Sequence, residues 1–377
     1  MSVPLSILDL APIPSGGTAR DALRNTLDLA RNAEAFGYRR YWLAEHHLAP
    51  GVASSAPQVL IGAVAAATRR IRVGSGAVQV GHWTSLAVAE QFGTLDALYP
   101  DRIDLGIGRS GQRRAEIAAQ RAAPPPPRPE PRTVDGLLIP RPFDFSVLAG
   151  SDLLKLHALL QQPGAQTPDF SDTLDEITSY FAGTHRTPDG IRARSFPGEG
   201  ADPELWILGS SGGESARVAG ERGLPFAANY HVAPSHVLEA VEAYRAAFKP
   251  SDVLAEPHVM VSADVVVAED DDAARRLAAP YALWVRSIRR DGAAIPFPTE
   301  AEAAAHRWSD ADRELVADRT ETQFVGAPET VVERLRTLQR VTDADELLVT
   351  TIVHDHAARV SSFELLARAW HGTGENR

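Results

Sequence analysis

Residues 41–50, YWLAEHHLAP, place Glu45, His46 and His47 directly after an apolar run. A carboxylate beside two imidazoles could move a proton or hold a metal ion, because histidine titrates near neutral pH and also binds metals. Neighbouring residues at a strand end point to opposite faces, so three consecutive side chains cannot easily reach one ion. We therefore expect His46 and His47 to face different surroundings, with a hydrogen-bonded structural histidine as the alternative for His46.

The stretch GSSGGES, residues 209–215, lies between an apolar run and a helical segment. Its glycines let the backbone approach a ligand, while unpaired helix N–H groups and hydroxyls favour an anion. It lacks the ending of a Walker loop and the register of a Rossmann fingerprint. The stretch therefore predicts a phosphate site to which Arg109 could add charge. The alternatives are a helix entry capped by Ser211 or Ser215, and a surface ion pair for Arg109.

A third group, His354 and His356, follows the last apolar run as an H-x-H pattern. Alternate residues of an extended chain share a face, so this pair is the best metal candidate in the sequence. No further acidic cluster is obvious at the other strand ends, and we predict no metal site.

Composition limits the classes of partner. The 377 residues carry 38 basic and 49 acidic side chains, a formal net charge of -11 that disfavours nucleic acid and anionic membrane surfaces. The absence of cysteine excludes disulfides, thiolate nucleophiles and sulfur-based metal sites. The pattern of the N-terminal residues predicts a first strand and not a secretion signal. No apolar run approaches the roughly 20 residues that cross a bilayer. We expect a cytoplasmic protein.

Short apolar runs alternate with helical segments, which is typical of strands and helices around a parallel sheet. Eight such runs predict a (β/α)8 barrel of the α/β class, with a doubly wound sheet as the alternative. They are LSILDL (5–10), YRRYWLA (38–44), IRVGSG (71–76), RIDLGIG (102–108), ELWILGSS (204–211), LPFAANY (224–230), HVMVSADVVVA (258–268) and DELLVTTIV (345–353).

The alternation is interrupted twice, which predicts insertions after strands four and seven of one domain spanning residues 1–377. The first, residues 109–203, contains a proline-dense segment at 122–132, two helical patterns and the position for a lid. The second, residues 289–325, is expected to be irregular. The barrel would bring the loops after strands two to five to one rim, which is where active sites of this fold lie.

Three segments in this order resemble the bacterial luciferase-like flavin-dependent oxidoreductases. They are YWLAEHHLAPGVASSAPQVLIGAVAAATRRIRVGSGAVQV (41–80), AEQFGTLDALYPDRIDLGIGRSG (89–111) and LGSSGGESARVAGERGLPFA (208–227), with weaker likeness over 326–370. The two insertions are not covered. The resemblance implies a (β/α)8 barrel with reduced FMN across the strand ends and a non-proline cis peptide often found at Gly76 and Ala77.

The resemblance also implies roles for individual residues. His46 matches the catalytic histidine, Glu45 orients groups or contacts the flavin, and Gly108 stands where some relatives have a reactive cysteine. The implied cofactor-binding residues are Glu45, Gly76, Ala77, Gly108, Arg109, Gly209, Ser210, Ser211, Gly212, Gly213, Glu214 and Ser215.

The implied function is a two-component FMN-dependent monooxygenase of bacterial type. It would take reduced FMN from a separate flavin reductase and use O2, through a C4a-(hydro)peroxyflavin, to oxygenate a small organic substrate. An F420-dependent hydride-transferring oxidoreductase, a metal-dependent hydrolase using His354 and His356, and a non-catalytic flavin-binding barrel are the alternatives. Barrels of the family that this chain resembles often pair through helices beside strands two and three, where PQVLIGAVAAAT is apolar, so we also expect a homodimer.

Overall fold

The computed structural model describes residues 2–109, 129–144 and 156–372. Eight parallel strands pair in a closed ring, because the first strand pairs with both the second and the last. A ring has no edge strand, so the doubly wound alternative is wrong and the (β/α)8 barrel is confirmed. In chain order the ring contains β1 (Leu5–Asp9), β2 (Arg40–Leu43), β3 (Arg72–Ser75), β5 (Ile103–Gly108), β8 (Glu204–Gly209), β9 (Phe226–Asn229), β10 (Val259–Val267) and β12 (Glu346–Thr350).

Helices surround this ring, and the first shows how the sequence sets their ends. The Thr18 hydroxyl accepts a hydrogen bond from the Asp21 backbone N–H, and Gly37 ends the helix in the left-handed conformation, as its position predicts. The helices are α1 (Ala19–Phe36), α2 (Pro57–Ala67), α3 (Ser85–Leu98), α4 (Phe170–Phe181), α5 (Glu214–Glu221), α6 (Val237–Ala247), α7 (Asp271–Ala278), α8 (Pro280–Arg290), α9 (Glu300–Ala305), α10 (Asp310–Glu321), α11 (Pro328–Thr342) and α12 (His356–Gly372). None of the helices in these three ranges is long and apolar enough to cross a membrane.

The two insertions lie where the sequence places them, after β5 and after β10. Much of the first, including most of the proline-dense segment and part of the expected lid, lies outside the described residues. Its described part adds the hairpin β6 (Arg132–Val134) and β7 (Leu137–Ile139), which the sequence analysis missed, and α4, which it predicted. The assignment of residues 1–377 to one domain stays a prediction.

The expectation that residues 289–325 are irregular is wrong. They contain all of α9 and α10 and most of the short strand β11 (Phe324–Gly326), which pairs with β10. Outside this range, the two-residue strand β4 (Val78–Gln79) pairs with β5. Thr299 and Ser309 cap the two helices through their hydroxyls. A helix as short as α9 contains too few turns for its apolar period to be recognised.

The barrel interior changes from charged to apolar to polar along its axis. At the N-terminal end, Arg40 is 1% exposed and forms ion pairs with Asp104, Glu204 and Glu346. The middle is filled by large apolar side chains, among them Trp42, Trp206, Leu208, Met260 and Leu348. The C-terminal end opens into a cavity.

Candidate active site

A cavity of about 360 Å³ lies at the C-terminal ends of six barrel strands. This is the end at which active sites of the fold are built, and the volume is within the range of small-molecule sites. Predicted site residues that line it are Glu45, His46, Gly76, Ala77, Gly108, Arg109, Gly209, Ser210, Ser211 and Ser215. Gly212, Gly213 and Glu214 are not among its lining residues.

The two adjacent histidines face different surroundings, as the strand geometry predicts. His46 lines the cavity, and its imidazole makes no hydrogen bond to any residue in the described ranges. His47 lies behind the wall and contacts Glu45, with Nε2 2.8 Å from Oε1. The exposed surface of His46 faces the cavity, while surrounding protein and the neighbouring His47 lower its pKa to about 4. Its imidazole is therefore neutral at pH 7.

The Glu45 carboxylate connects the end of β2 to the loop that follows β3. Besides His47, it accepts hydrogen bonds from the Trp83 indole N–H at 3.0 Å and the Gln79 backbone N–H at 2.7 Å. The Gln79 side chain donates in return to the Glu45 carbonyl. Because three donors occupy the carboxylate, Glu45 orients its neighbours; its contact with a cofactor stays a prediction.

The loop after β3 passes close to the barrel interior. The peptide bond between Gly76 and Ala77 is cis, as the resemblance implies. A Cβ atom at Gly76 would lie 2.7 Å from the Leu8 Cδ1 atom. Glycine thus allows the loop to form the cavity wall beside β1.

The loop between β8 and α5 has the features of an anion site. Helix α5 begins after Gly213 with no side-chain cap, so neither Ser211 nor Ser215 caps it and this alternative is wrong. Arg109 forms an ion pair with Glu214 in the first turn of α5, and their side chains are only 10% and 21% exposed. This is a largely buried pair and not the expected surface pair. It places the guanidinium beside the start of the helix.

Three polar residues of the cavity were missed from the sequence. Gln79 follows β3, while Asn229 and His231 lie at and just beyond the end of β9. The rule that active-site residues follow barrel strands applies equally to the sixth strand, LPFAANY, and would have found the last two.

His354 and His356 do not converge on one site. The His354 Nε2 atom lies 3.0 Å from the Ser15 carbonyl oxygen, and the His356 Nε2 atom lies 2.9 Å from Asp28 Oδ2. No group of three or more potential ligands that could hold a metal ion occurs within the described ranges. The geometry gives no support to a metal-dependent hydrolase at this pair.

The cavity has a polar end and an apolar end, which fits an aromatic cofactor with a phosphate. The uncapped helix start, the serine hydroxyls and Arg109 suit an anion. Leu8, Leu10 and Leu208 supply apolar walls for a planar ring.

The family model described as luciferase-like monooxygenase matches residues 3–141 and 156–344. The chain belongs to this family. It is 40% identical to the protein YvbT of Bacillus subtilis (strain 168) over 97% of this chain and 96% of that one. It is 36% identical to a luciferase-like monooxygenase of Escherichia coli (strain K12), over 97% of this chain and 96% of that one. It is 31% identical to the N-acetyl-S-alkylcysteine monooxygenase of Bacillus subtilis (strain 168), over 97% of each chain.

Solved structures show the same barrel in flavin-dependent and F420-dependent enzymes. The luciferase-like chain described here superposes on apo-MsnO8 with a TM-score of 0.78 and 32% identity, over 98% of each chain. For the oxygenating constituent of 3,6-diketocamphane monooxygenase in complex with FMN, the TM-score is 0.64 and the identity is 20%, over 98% of this chain and 97% of that one. For an F420-dependent secondary alcohol dehydrogenase, the TM-score is 0.61 and the identity is 15%, over 98% of this chain and 99% of that one. The last two likenesses concern the fold alone. The chain is thus an enzyme of the luciferase-like monooxygenase family.

Proposed function

We propose that the protein is an FMN-dependent monooxygenase that takes reduced FMN from a separate flavin reductase and oxygenates a small organic substrate with O2. The observation that supports this most is a single cavity holding both an uncapped helix start with Arg109 beside it and the neutral imidazole of His46. Reduced FMN would supply the electrons that activate O2.

The phosphate of the cofactor would bind at the start of α5. The polar groups there are the backbone N–H groups of the first turn, the hydroxyls of Ser210, Ser211 and Ser215, and the Arg109 guanidinium. Glu214 holds Arg109 in place and also sets a negative charge beside the anion. The loops around Gly76 and Gly108 would contact the ring.

His46 would exchange a proton with the reacting groups in the cavity. Because the surrounding protein and His47 lower the pKa of its imidazole, His46 is neutral at pH 7 and would accept a proton first and return it later. The apolar walls around it would exclude water, which suits a reaction whose reactive intermediates decay in water.

F420-dependent hydride transfer is the second candidate, supported by structural neighbours that share only the fold. FMN is favoured because the relatives above 30% identity with a printed activity are monooxygenases. Titration of the protein with oxidised FMN and with F420, followed by fluorescence, separates the two: micromolar binding of F420 with none of FMN would contradict the proposal.

The decisive experiment mixes protein and anaerobically reduced FMN with oxygenated buffer in a stopped-flow spectrometer. We expect an additional absorbing phase between the reduced and oxidised spectra that is absent with FMN alone. Replacement of His46 by alanine should change the rate of this phase about 100-fold. The control His236→Ala alters a partly exposed histidine whose imidazole contacts Glu239 and is not among the residues that line the cavity, and it should leave the kinetics unchanged.

Oxidation at the rate of free FMN would contradict the proposal for the whole protein. An unchanged phase in His46→Ala would contradict the catalytic role of His46, and would leave a non-catalytic flavin-binding barrel as the better interpretation if no substrate is oxygenated.

A homodimer is also part of the proposal. Helix α2 has no charged residue, and its outer face exposes Val59, Ala63 and Ala66, with Val59 71% exposed. An apolar helix face of this kind is unusual for a surface in contact with water. A second copy of the same helix would cover it.

The expected cytoplasmic location stays a prediction.

A further inference from the structure

Asn229 and His231 form a polar wall of the cavity for which the proposed flavin chemistry gives no role. Asn229 is the last residue of β9 and His231 lies in the turn that follows, and both line the cavity. Tyr230, between them, points away and donates a hydrogen bond to the Leu138 carbonyl at 2.7 Å. The end of the strand and its turn therefore bring the two side chains to the same cavity.

Ser262 on the neighbouring strand fixes the His231 ring. The Ser262 Oγ atom lies 2.6 Å from His231 Nδ1, while its next acceptors, the Ala228 carbonyl and Asn229 Oδ1, are 3.4 and 3.5 Å away. The short distance fits an O–H donor better than an N–H donor, whose usual distance is about 2.9–3.0 Å. The hydroxyl thus donates to Nδ1, and a neutral ring then carries its proton on Nε2.

The opposite edge of this ring is available to a ligand. Within the described ranges, neither His231 Nε2 nor Asn229 Nδ2 makes a hydrogen bond. Neither atom is a fully buried atom that lacks a partner, so both have surface that a ligand can reach. Since both residues line the cavity, the wall presents two N–H donors to it.

A buried ion pair lies behind this wall. Arg319, from α10, donates to Asp264 at 3.2 Å and to the Tyr281 hydroxyl at 2.5 Å, and its Nε atom is buried with no hydrogen-bond partner in the described ranges. Burial and the Arg319 charge lower the pKa of His231 to about 3, and His46 adds a smaller effect. The His231 imidazole is therefore neutral at pH 7.

We propose that Asn229 and His231, positioned by Ser262 and backed by Arg319, bind an oxygen acceptor of the organic substrate, a carboxylate or carbonyl group. Two N–H donors on one wall are complementary to an oxygen that carries negative charge. Val232, which follows His231, and Leu8 and Leu10 of the same cavity lining suit an apolar body attached to that oxygen. The ligand class is therefore a small organic acid or carbonyl compound with a short aliphatic part. The inference rests on the proposed function for the reaction, but binding can be tested without it.

The test uses hexanoate and 1-hexanol, which share a chain and differ in the charged oxygen. Protein labelled with nitrogen-15 at histidine reports the protonation of His231 by NMR, with His231→Phe to assign its signals. We expect a proton on Nε2 and a shift of that signal on addition of hexanoate. The dissociation constant of hexanoate should rise about tenfold in His231→Phe and in Asn229→Leu, which corresponds to one lost hydrogen bond to a charged group. That of 1-hexanol should change less than about twofold.

His236→Phe is the matched control, because that histidine lies at the surface before α6. Three results would overturn the inference. They are a proton on Nδ1 of His231 instead of Nε2, no binding of hexanoate to the unmodified protein, and variants that bind hexanoate as tightly as the unmodified protein does. The dissociation constant of oxidised FMN, measured on the same variants, identifies the other source of an acceptor oxygen. A tenfold loss of FMN affinity would assign the wall to the flavin and overturn the substrate role. If FMN does not bind the unmodified protein but hexanoate does, the proposed function fails and the subsite stands.

Discussion

At the scale of single residues, the E-H-H triplet divides into two tasks. His46 and Glu45 both line the cavity, but only the Glu45 carboxylate is joined to the wall, where it contacts His47, Gln79 and Trp83. His46 and His47 are neighbours along the chain and face different surroundings, as the alternation of side chains predicts. Glu45 and His47 thus hold the loops around His46, the residue for which we propose proton transfer.

Replacement of Glu45 by glutamine should lower the free energy of unfolding by about 2 kcal/mol. The amide leaves one oxygen to accept from the three donors, Gln79 N–H, Trp83 N–H and His47, and sets its own NH2 group against one of them. Urea unfolding measures the change. Glu256→Gln is the control, because Glu256 is exposed and should change stability by less than about 0.5 kcal/mol. Equal stability of both variants would show that the three donors around Glu45 bind water in place of the lost carboxylate oxygen.

At the scale of elements, the N-terminal end of the barrel is held by charge. Arg40 on β2 contacts carboxylates from β5, β8 and β12, and the Arg40 guanidinium lies 4.9 Å from the centre of the Trp206 ring. Strands that are far apart in sequence therefore meet at one buried cation. The surrounding carboxylates raise the pKa of Arg40 well above its usual value, so it stays charged despite burial.

Replacement of Arg40 by methionine should destabilise the barrel by about 3 kcal/mol or more. The change leaves the buried Glu346 with only the half-exposed Arg39, 3.6 Å away, and the buried Asp104 with only Arg72, and a buried carboxylate that loses a close cation is costly. Arg31→Met, on the exposed side of α1, is the matched control. Guanidinium chloride unfolding compares the two. A loss no greater than that of the control would mean that the carboxylates become protonated at little cost.

At the scale of the whole molecule, the cavity histidines make stability depend on pH. Their pKa values are lowered from 6.5 to about 4 for His46 and about 3 for His231. Below pH 6.5 the unfolded chain binds protons that the folded chain does not, so the free energy of unfolding falls as pH falls towards 4. Above pH 6.5 both states are neutral and this contribution to the slope disappears.

The dependence is measured by urea unfolding at pH 7, 6 and 5. We expect the double variant His46→Gln with His231→Gln to lose less stability than the unmodified protein between pH 6.5 and 5. Parallel curves for the two proteins would contradict the lowered pKa values.

The assembly is tested on the outer face of α2. Val59→Glu should convert the dimer to monomers, because a carboxylate in the first turn suits the helix but not an apolar interface. Val253→Glu, at a loop position 61% exposed, is the control and should stay dimeric. Sedimentation velocity gives the mass in solution. A monomeric unmodified protein, or a dimeric Val59→Glu variant, would reject this face as the interface.

The sequence by itself determined the barrel and much of its rim. Apolar runs and helical segments are local patterns, so eight strands could be recognised without knowing which strands pair. The same period separated His46 from His47. Residues 289–325 were misjudged because α9 has only six residues and the twelve residues of α10 contain too few apolar side chains to form a stripe.

Only the tertiary structure decided which polar groups meet. Arg109 pairs with Glu214, Asp104 and Glu346 share Arg40, and His231 meets Ser262, all across many residues of sequence. His354 and His356, neighbours in a promising pattern, contact different partners. Closure of the barrel fixes these contacts because it brings the ends of all eight strands together, and no local pattern contains the distances between them.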